Sequence, residues 1–281
     1  MDYTISKLNP FGIRIEPIRD TFPIPIQKLD RSKLRQLFYQ EHLILLRGFI
    51  TFDNAPDFAQ YCETFGAISI WPFGKVLELI EQDQPEDHIF DHRYVPLHWD
   101  GMYRPQVPEM QIFHCVKAPP AGLGGKTTFS NTILTLDHTP TETKNLWRQI
   151  TGIYQRKMAF YHSKTKSALI TKHPFRDFEV IRYNELPNKQ DKGFINPPHI
   201  EFTGVDNNLL PWVHDSLTTA LYHPKNFYAH EWQAGDVLIA DNFSLLHGRE
   251  AFITQSPRHL QRVHVLSDPP LENPGLEFHQ E

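Results

Sequence analysis

The first strong pattern in the sequence is a helical one, in the segment RSKLRQLFYQE at residues 31–41. Its apolar residues recur at the spacing of one face of an amphipathic helix, and they are Leu34, Leu37 and Phe38. Asp30 or Ser32 can cap the first turn, because a side-chain oxygen there accepts a hydrogen bond from a free backbone N–H. The pattern therefore predicts a short helix that packs one face on a core.

The next segments predict a strand, a second helix and a loop. Residues 42–49 are largely apolar, which predicts a buried strand. Residues 55–65 predict a helix that is capped by Asp53 and ended by Gly66. Residues 71–96 contain charge and proline without a sustained period, so we predict mainly loop there.

The rest of the chain predicts a mostly β structure with flanking helices. Strand-like segments between turn residues lie at 108–116, 126–132, 237–241 and 261–266. Helical segments near 134–150 and 207–221 interrupt them, a combination that suggests a β-sandwich or jelly roll. No repeat or flexible linker divides the chain, so we expect one domain over residues 1–281. A polar excursion with several prolines, at 184–198, is typical of a lid.

Composition narrows the range of functions. The 281 residues include 28 Lys and Arg against 33 Asp and Glu, a net charge of −5, so no basic excess exists to bind a nucleic-acid backbone. The start of the chain lacks signal-peptide features, and the apolar run at 43–46 is too short to span a bilayer. We therefore expect a cytoplasmic protein with neither a nucleic-acid nor a membrane partner. The 16 histidines favour metal or acid–base chemistry.

The sequence LHWDG contains a candidate metal-binding pair, His98 and Asp100. On a strand, side chains two residues apart point to the same side, so both can bind one ion. Two histidines and one carboxylate form the facial arrangement that binds Fe(II) and leaves coordination positions open. His199 and Glu201 have a similar spacing, but they follow two prolines and fit a loop, which supports ligands less rigidly. We therefore prefer the first pair.

Further motifs follow the pair in a characteristic order. The segment GGKTTFSN begins at residue 124, and Arg258 and Arg262 lie eleven and fifteen positions after His247. Over about residues 40–267, this order and spacing resemble the taurine dioxygenase-like (TauD/TfdA) family of Fe(II)/2-oxoglutarate-dependent oxygenases. The resemblance implies a double-stranded β-helix, that is, a jelly-roll or cupin-like core. It also implies an oxidoreductase that uses Fe(II), 2-oxoglutarate and O₂.

The resemblance carries roles for individual residues. It implies that His98, Asp100 and His247 are the catalytic iron ligands. Neutral imidazole and carboxylate groups suit this ion. It further implies that Arg258 binds the distal carboxylate of 2-oxoglutarate in a charge-assisted pair, and that Thr127 adds a hydroxyl group to the same carboxylate.

The implied substrate site centres on Arg262, the family position that binds the acid group of the primary substrate. In a strand Arg258 and Arg262 would face the same side, so both can reach one cavity. A structural ion pair is the alternative role for Arg262. Tyr103 and Met102, with Phe113, can form part of a substrate wall, and ordinary core packing is the alternative there.

Two longer segments resemble one branch of the family, the PvcB-like oxygenases of isonitrile biosynthesis; they are LHWDGMYRPQVPEMQIFHCVKAP and GGKTTFSNT. This resemblance implies a small-molecule substrate, an aromatic isonitrile acid derived from tyrosine, in secondary metabolism. It implies oxidative desaturation or decarboxylative formation of a vinyl isonitrile, with an isonitrile synthase as the pathway partner.

Two other functions remain open alongside this one. The first is a 2-oxoglutarate-dependent hydroxylase of a sulfonate or another small organic acid. The second is a metal-free β-sandwich binding module, which would have no need of two histidines and an aspartate at this spacing. The sequence leaves the oligomeric state open, with a homo-oligomer as one option.

Overall fold

The computed structural model describes residues 2–18, 23–187 and 193–278. In chain order, the strands are β1 (Tyr3–Lys7), β2 (Ile13–Pro17), β3 (Leu43–Leu46), β4 (Leu77–Ile80), β5 (Val95–His98), β6 (Gln106–Val107), β7 (Met110–Lys117), β8 (Thr127–Asn131), β9 (Thr151–Met158), β10 (Tyr161–Ala168), β11 (Ile170–Lys172), β12 (Glu179–Ile181), β13 (His199–Thr203), β14 (Phe227–His230), β15 (Val237–Asp241), β16 (Leu245–Arg249), β17 (His259–Val265), β18 (Leu271–Glu272) and β19 (Leu276–Phe278). The α-helices are α1 (Arg31–Glu41), α2 (Ala55–Glu63), α3 (Thr132–His138), α4 (Thr141–Trp147) and α5 (Leu210–Leu221). Short 3₁₀ helices lie at Ile26–Lys28, His88–Phe90 and Asn207–Leu209. None of the described helices is both long and apolar enough to cross a membrane.

Two sheets face each other and form the centre of the fold. A seven-stranded sheet has the order β1-β2-β3-β15-β7-β17-β4, and a four-stranded sheet has the order β14-β8-β16-β5. Phe113 and Leu260 of the large sheet share one buried cluster with Phe129 and Leu245 of the small sheet. Because alternate side chains of a strand point to opposite faces, the neighbours of these residues are directed outward. The predicted mostly β fold with flanking helices is confirmed.

Helices α1 and α2 cover the outer face of the large sheet. The predicted apolar face of α1 packs in the same cluster as Ile112 and Val263, the outward residues of β7 and β17. The helix begins at Asp30, whose carboxylate accepts a hydrogen bond from the Lys33 backbone N–H at 3.1 Å. Of the two predicted caps, Asp30 is therefore the one used.

The outer face of the small sheet packs against α3, α5 and a second four-stranded sheet, β13-β9-β10-β19. Leu246, the outward neighbour of Leu245, shares a cluster with Leu136 of α3, Leu217 of α5 and Tyr154 of β9. This third layer matters for function, because the inner face of β9 and β10 forms part of the cavity described below.

Several boundary predictions are wrong. Helix α2 is capped by Asn54 rather than Asp53, since the Asn54 side chain accepts from the Asp57 N–H at 2.9 Å. The predicted loop at 71–96 contains β4, which pairs with β17 and completes the edge of the large sheet. The helical segment at 134–150 is two helices, α3 and α4. Strands β9 to β12 were not predicted, because their polar and apolar residues do not alternate cleanly.

The centre of the predicted lid at 184–198 falls on residues 188–192, which lie outside the described residues. On either side of that gap, Asn184, Glu185, Pro187, Phe194 and Pro198 line a cavity. The described flanks therefore border the site, and the lid itself stays a prediction.

Candidate metal centre and its two cavities

The predicted ligand residues meet at one point between the facing sheets. His98 is the last residue of β5 and Asp100 lies in the turn that follows, so the pair spans a strand end rather than lying within a strand. His247 on β16 is the cross-strand partner of His98. The candidate ligand atoms of all three side chains lie within 4.8 Å of one another.

Hydrogen bonds leave one ligand atom free on two of these side chains. His98 Nδ1 lies 2.9 Å from the Pro96 carbonyl, so this nitrogen donates and Nε2 keeps its lone pair. Nε2 lies 3.7 Å from Asp100 Oδ1. The other carboxylate oxygen, Oδ2, accepts from Gln111, His264 and Arg262 at 2.7, 2.8 and 2.8 Å.

The protonation states match those that a metal ligand requires. Burial lowers the pKa of His98 and of His247, so both imidazoles are neutral. Burial alone would raise the pKa of Asp100, but the charge of Arg262 and the proximity of His264 and His247 hold it well below its usual value. Two neutral imidazole nitrogens and one ionised carboxylate oxygen form a donor set that fits Fe(II).

Three residues that position this centre were not predicted. Asn242 accepts from the Asp100 N–H at 2.8 Å and donates to the Asp100 carbonyl at 2.9 Å, so it fixes the turn that carries the carboxylate. Gln111 Nε2 also lies 3.2 Å from each of the two ring nitrogens of His247. His264 points inward because it follows Arg262 by two residues on β17. That alternation was the available signal for His264.

A small cavity of about 40 Å³ adjoins the centre and contains the predicted 2-oxoglutarate residues. Arg258 and Thr127 line it beside His98 and His247. The Arg258 side chain is buried, and its Nε donates to the Gly125 carbonyl at 3.1 Å, which leaves both terminal nitrogens for a ligand.

The electrostatics of this cavity suit a carboxylate. Burial lowers the pKa of Arg258 to about 9, so the guanidinium stays charged at neutral pH. No carboxylate among the described residues contributes to its environment. Thr127 Oγ1 accepts from Trp232 Nε1 at 3.0 Å, so the hydroxyl proton is left to donate. These two groups fit one end of 2-oxoglutarate.

Gly125 is required beside Arg258 for a steric reason. Its φ is +78°, a conformation that side chains rarely adopt, and a Cβ there would lie 3.1 Å from Arg258 Cδ. The glycine pair of the GGKTT segment therefore lets the backbone approach the guanidinium and accept its hydrogen bond.

A larger cavity of about 160 Å³ lies on the other side of the centre. Arg262, Met102 and Tyr103, which were predicted to bind substrate, line it together with His98 and Asp100. Met102 is almost fully buried and belongs to the core, so the packing role considered for it is present, and its contact with the substrate stays a prediction. Phe113, in contrast, lines the small cavity.

Arg262 lies between the two cavities and lines both. It forms an ion pair with Asp100 at 2.8 Å, and its buried Nε has no hydrogen-bond partner among the described residues. Arg258 and Arg262 therefore do reach a common cavity, and the structural ion pair considered for Arg262 is present as well.

The rejected pair, His199 and Glu201, lies on strand β13, so the loop expected there is wrong. Both side chains are more than half exposed, and His199 Nε2 lies 2.7 Å from Glu201 Oε1. Within the described residues, the one group of three metal-binding side chains that converges is that of His98, Asp100 and His247.

The fold and this site define a class of protein, and comparison with known families agrees. Residues 5–264 match the family described as taurine catabolism dioxygenase TauD, TfdA family, and the chain belongs to that family. Within it, the chain is 46% identical over 267 residues to a tyrosine isonitrile desaturase of Pseudomonas aeruginosa, which covers 95% of this chain and 91% of that protein.

Two further similarities point the same way. A 3-((Z)-2-isocyanoethenyl)-1H-indole synthase of Fischerella ambigua is 37% identical over 94% of this chain and 96% of its own length. The solved structure of PvcB, described as an Fe, alpha-ketoglutarate dependent oxygenase from an isonitrile synthetic pathway, has a TM-score of 0.85 at 40% identity, over 99% of this chain and 96% of its own. The predicted family resemblance and jelly-roll-type fold are thereby confirmed.

Proposed function

We propose that this protein is an Fe(II)/2-oxoglutarate-dependent oxygenase that desaturates a tyrosine-derived isonitrile acid. The observation that carries the proposal is an intact site on a chain 46% identical to a tyrosine isonitrile desaturase. Two neutral imidazoles and an ionised carboxylate converge beside a buried arginine that lacks a carboxylate partner among the described residues.

His98, Asp100 and His247 would hold the iron in this proposal. Arg258 and Thr127 would hold the distal carboxylate of 2-oxoglutarate, because a guanidinium and a hydroxyl group meet in the small cavity. When bound, the iron and 2-oxoglutarate supply, with O₂, an oxidant strong enough to remove hydrogen from carbon. The contribution of the chain is to exclude water and to hold one C–H bond within reach.

Arg262 would bind the carboxylate of the isonitrile acid from the other cavity. Its buried Nε–H has no hydrogen-bond acceptor among the described residues, and a bound carboxylate would supply one. Met102 and Tyr103 would contact the rest of the molecule. This placement presents the benzylic carbon to the metal centre.

The proposed reaction balances as a two-electron oxidation. The substrate loses two hydrogen atoms and gains a carbon–carbon double bond, while 2-oxoglutarate and O₂ become succinate, CO₂ and water. In the decarboxylative form, one hydrogen and the carboxylate leave instead, and the product is a vinyl isonitrile with CO₂. An isonitrile synthase would supply the substrate, in the cytoplasm.

The test of this function is direct. Under anaerobic conditions, Fe(II) and 2-oxoglutarate together should produce a weak visible charge-transfer band. Admission of O₂ with tyrosine isonitrile acid should then yield succinate and a product two hydrogen atoms lighter, or one that has also lost CO₂. Turnover of a sulfonate or another small organic acid, with no oxidation of the isonitrile acid, would overturn the substrate assignment, and absence of the band would favour a binding module.

The domain organisation is proposed on the same grounds. The family match extends over most of the chain, which supports one oxygenase domain across residues 1–281. The excursion at 184–198 would act as its lid, since both described flanks border the substrate cavity.

A further inference from the structure

A second charged cluster lines the larger cavity away from the metal ligands. Arg156 Nη2 lies 2.8 Å from Asp87 Oδ2 and 3.0 Å from His88 Nδ1, and it donates to the Asn196 carbonyl at 3.0 Å. The Arg156 and Asp87 side chains are 11% and 3% exposed. Asp87 lies in the segment 71–96 that was predicted to be mainly loop, yet its side chain is buried. Burial of such an ion pair is costly, which suggests a functional role for it at the cavity wall.

Arg156 lines the cavity and keeps one unused hydrogen-bond donor. Its Nε is buried and has no hydrogen-bond partner within the part of the chain that the structure describes. Tyr161 forms a hydrogen bond with Arg156 and lies within electrostatic reach of both Asp87 and Asp100. The cluster and the metal centre therefore border the same cavity, and Tyr161 lies near both.

Flat side chains line the space between the cluster and the centre. The rings of Tyr103 and Tyr161 are nearly parallel, at 11°, with centroids 5.7 Å apart. Phe194 packs on His88 with centroids 4.6 Å apart. The cavity volume of about 160 Å³ is close to the ~150 Å³ of a cavity known to accept benzene. The dimensions and the walls therefore suit one aromatic ring.

The charge of the cluster determines which ring substituent it fits. Burial alone would raise the pKa of Asp87, but its hydrogen bond with His88 and the charge of Arg156 lower it, so Asp87 is ionised. Burial lowers the pKa of His88, which is neutral. The cluster has no net charge, and a second carboxylate would lie unfavourably beside Asp87. A hydroxyl group, in contrast, can donate to Asp87 and accept from Arg156.

We propose that Arg156 and Asp87, with Tyr161, bind the phenolic hydroxyl group of the substrate and select a para-hydroxyphenyl ring over an unsubstituted one. This inference rests on the proposed function for the identity of the substrate. It adds a specificity site opposite the carboxylate site at Arg262, so that the two ends of the molecule are held and the benzylic carbon lies between them.

The first experiment compares two substrates that differ only in this hydroxyl group. The Fe(II)-loaded enzyme is assayed with tyrosine isonitrile acid and with phenylalanine isonitrile acid. Because hydrogen bonds to charged groups are at stake, the wild type should prefer the first by about 10- to 150-fold in kcat/KM. Arg156→Met together with Asp87→Asn should reduce the preference to near unity, and Tyr161→Phe should weaken it.

A matched control separates selection of the hydroxyl group from general binding. Arg262→Gln should weaken both substrates by the same factor, because the carboxylate is common to them. A wild-type preference near unity would overturn the inference, as would equal losses on both substrates in the Arg156 and Asp87 variant.

A binding experiment keeps the inference testable if no isonitrile acid is oxidised. Calorimetry with 3-(4-hydroxyphenyl)propanoate and 3-phenylpropanoate measures the same difference without turnover. Tighter binding of the hydroxylated acid by the wild type, lost in the Arg156 and Asp87 variant, would support the site even though the proposed reaction had failed. Equal affinities would overturn the inference independently of the reaction.

Discussion

Replacing Arg258 with glutamine tests the 2-oxoglutarate site most directly. Arg258 is only 4% exposed, its Nε donates to the Gly125 carbonyl, and it has no carboxylate partner among the described residues. Glutamine keeps a donor but removes the charge and the two-pronged geometry. Loss of a buried charge-assisted pair costs about 2–5 kcal/mol, or about 30- to several-thousand-fold in affinity. The KM for 2-oxoglutarate should rise by that factor.

The same change should have an opposite effect on the protein without cosubstrate. Burial lowers the pKa of Arg258 to about 9, which means that the folded chain disfavours the charged form. Removing an unpaired buried charge should therefore leave the melting temperature of the metal-free protein unchanged or raise it. A merely structural arginine would behave differently, because its loss would lower the melting temperature.

The assay is succinate formation against 2-oxoglutarate concentration, with the anaerobic visible band as a measure of binding. Arg258→Lys is the matched control, since lysine keeps the charge but loses the two parallel donors of the guanidinium. Its affinity for 2-oxoglutarate should lie between those of the wild type and Arg258→Gln. Wild-type affinity for 2-oxoglutarate in Arg258→Gln would refute the reasoning, and so would a large loss of thermal stability with unchanged affinity.

Other predictions address the metal centre, the substrate and the stability of the fold. Replacement of His98, Asp100 or His247 by alanine should abolish succinate formation. His199→Ala should leave succinate formation near the wild-type rate. Gln111→Leu should weaken Fe(II) binding by about 10- to 100-fold in a metal titration, because Gln111 orients two ligands, and an unchanged titration would contradict this. Arg262→Gln should raise the KM for the isonitrile acid while 2-oxoglutarate binding stays near normal, and product per succinate should fall; unchanged coupling would place the carboxylate elsewhere. Asp236→Asn should reduce the free energy of unfolding in urea by about 1.5–3 kcal/mol, since the buried Asp236 carboxylate pairs with half-buried Arg47 at 2.6 Å. The pKa of Asp236 is lowered in the folded state, so the difference in free energy of unfolding between the wild type and Asp236→Asn should shrink as the pH falls below about 4. A difference that stays constant with pH would contradict this role of the Asp236 charge.

The candidate ligand residues were the part of the site most open to prediction from the sequence. His98 and Asp100 are two residues apart, Arg258 lies eleven positions after His247, and the structure brings all four to one place. The helix at 31–41 was also predicted within its observed bounds, because a clean apolar face and a cap coincide there.

The supporting residues were less open to prediction for a physical reason. Gln111 and Asn242 act through hydrogen bonds between distant strands, and a single glutamine or asparagine in a sequence is far more often an ordinary surface residue. Arg156 lies in β9, where the inner face is built of polar as well as apolar groups, so no alternation marks the strand. Asp87 lies among charged residues in the sequence, a pattern typical of a solvated loop. Only the contact with Arg156 of β9, which is distant in sequence, shows that it is paired.

Arg249 connects the loop that carries the second cluster to the strand that carries His247. Its buried guanidinium donates to four backbone carbonyls, those of His88, Ile89, Asp91 and Arg93. Since these contacts use main-chain oxygens, they do not depend on the side chains at those four positions, whereas the Asp87 side chain holds the loop separately by accepting from the Ile89 N–H at 3.1 Å. Mutation can therefore exchange side chains of this loop while the contacts with Arg249 still hold its backbone. An engineer who wished to change the accepted ring would begin with this loop, and evolution within the family has had the same route open to it.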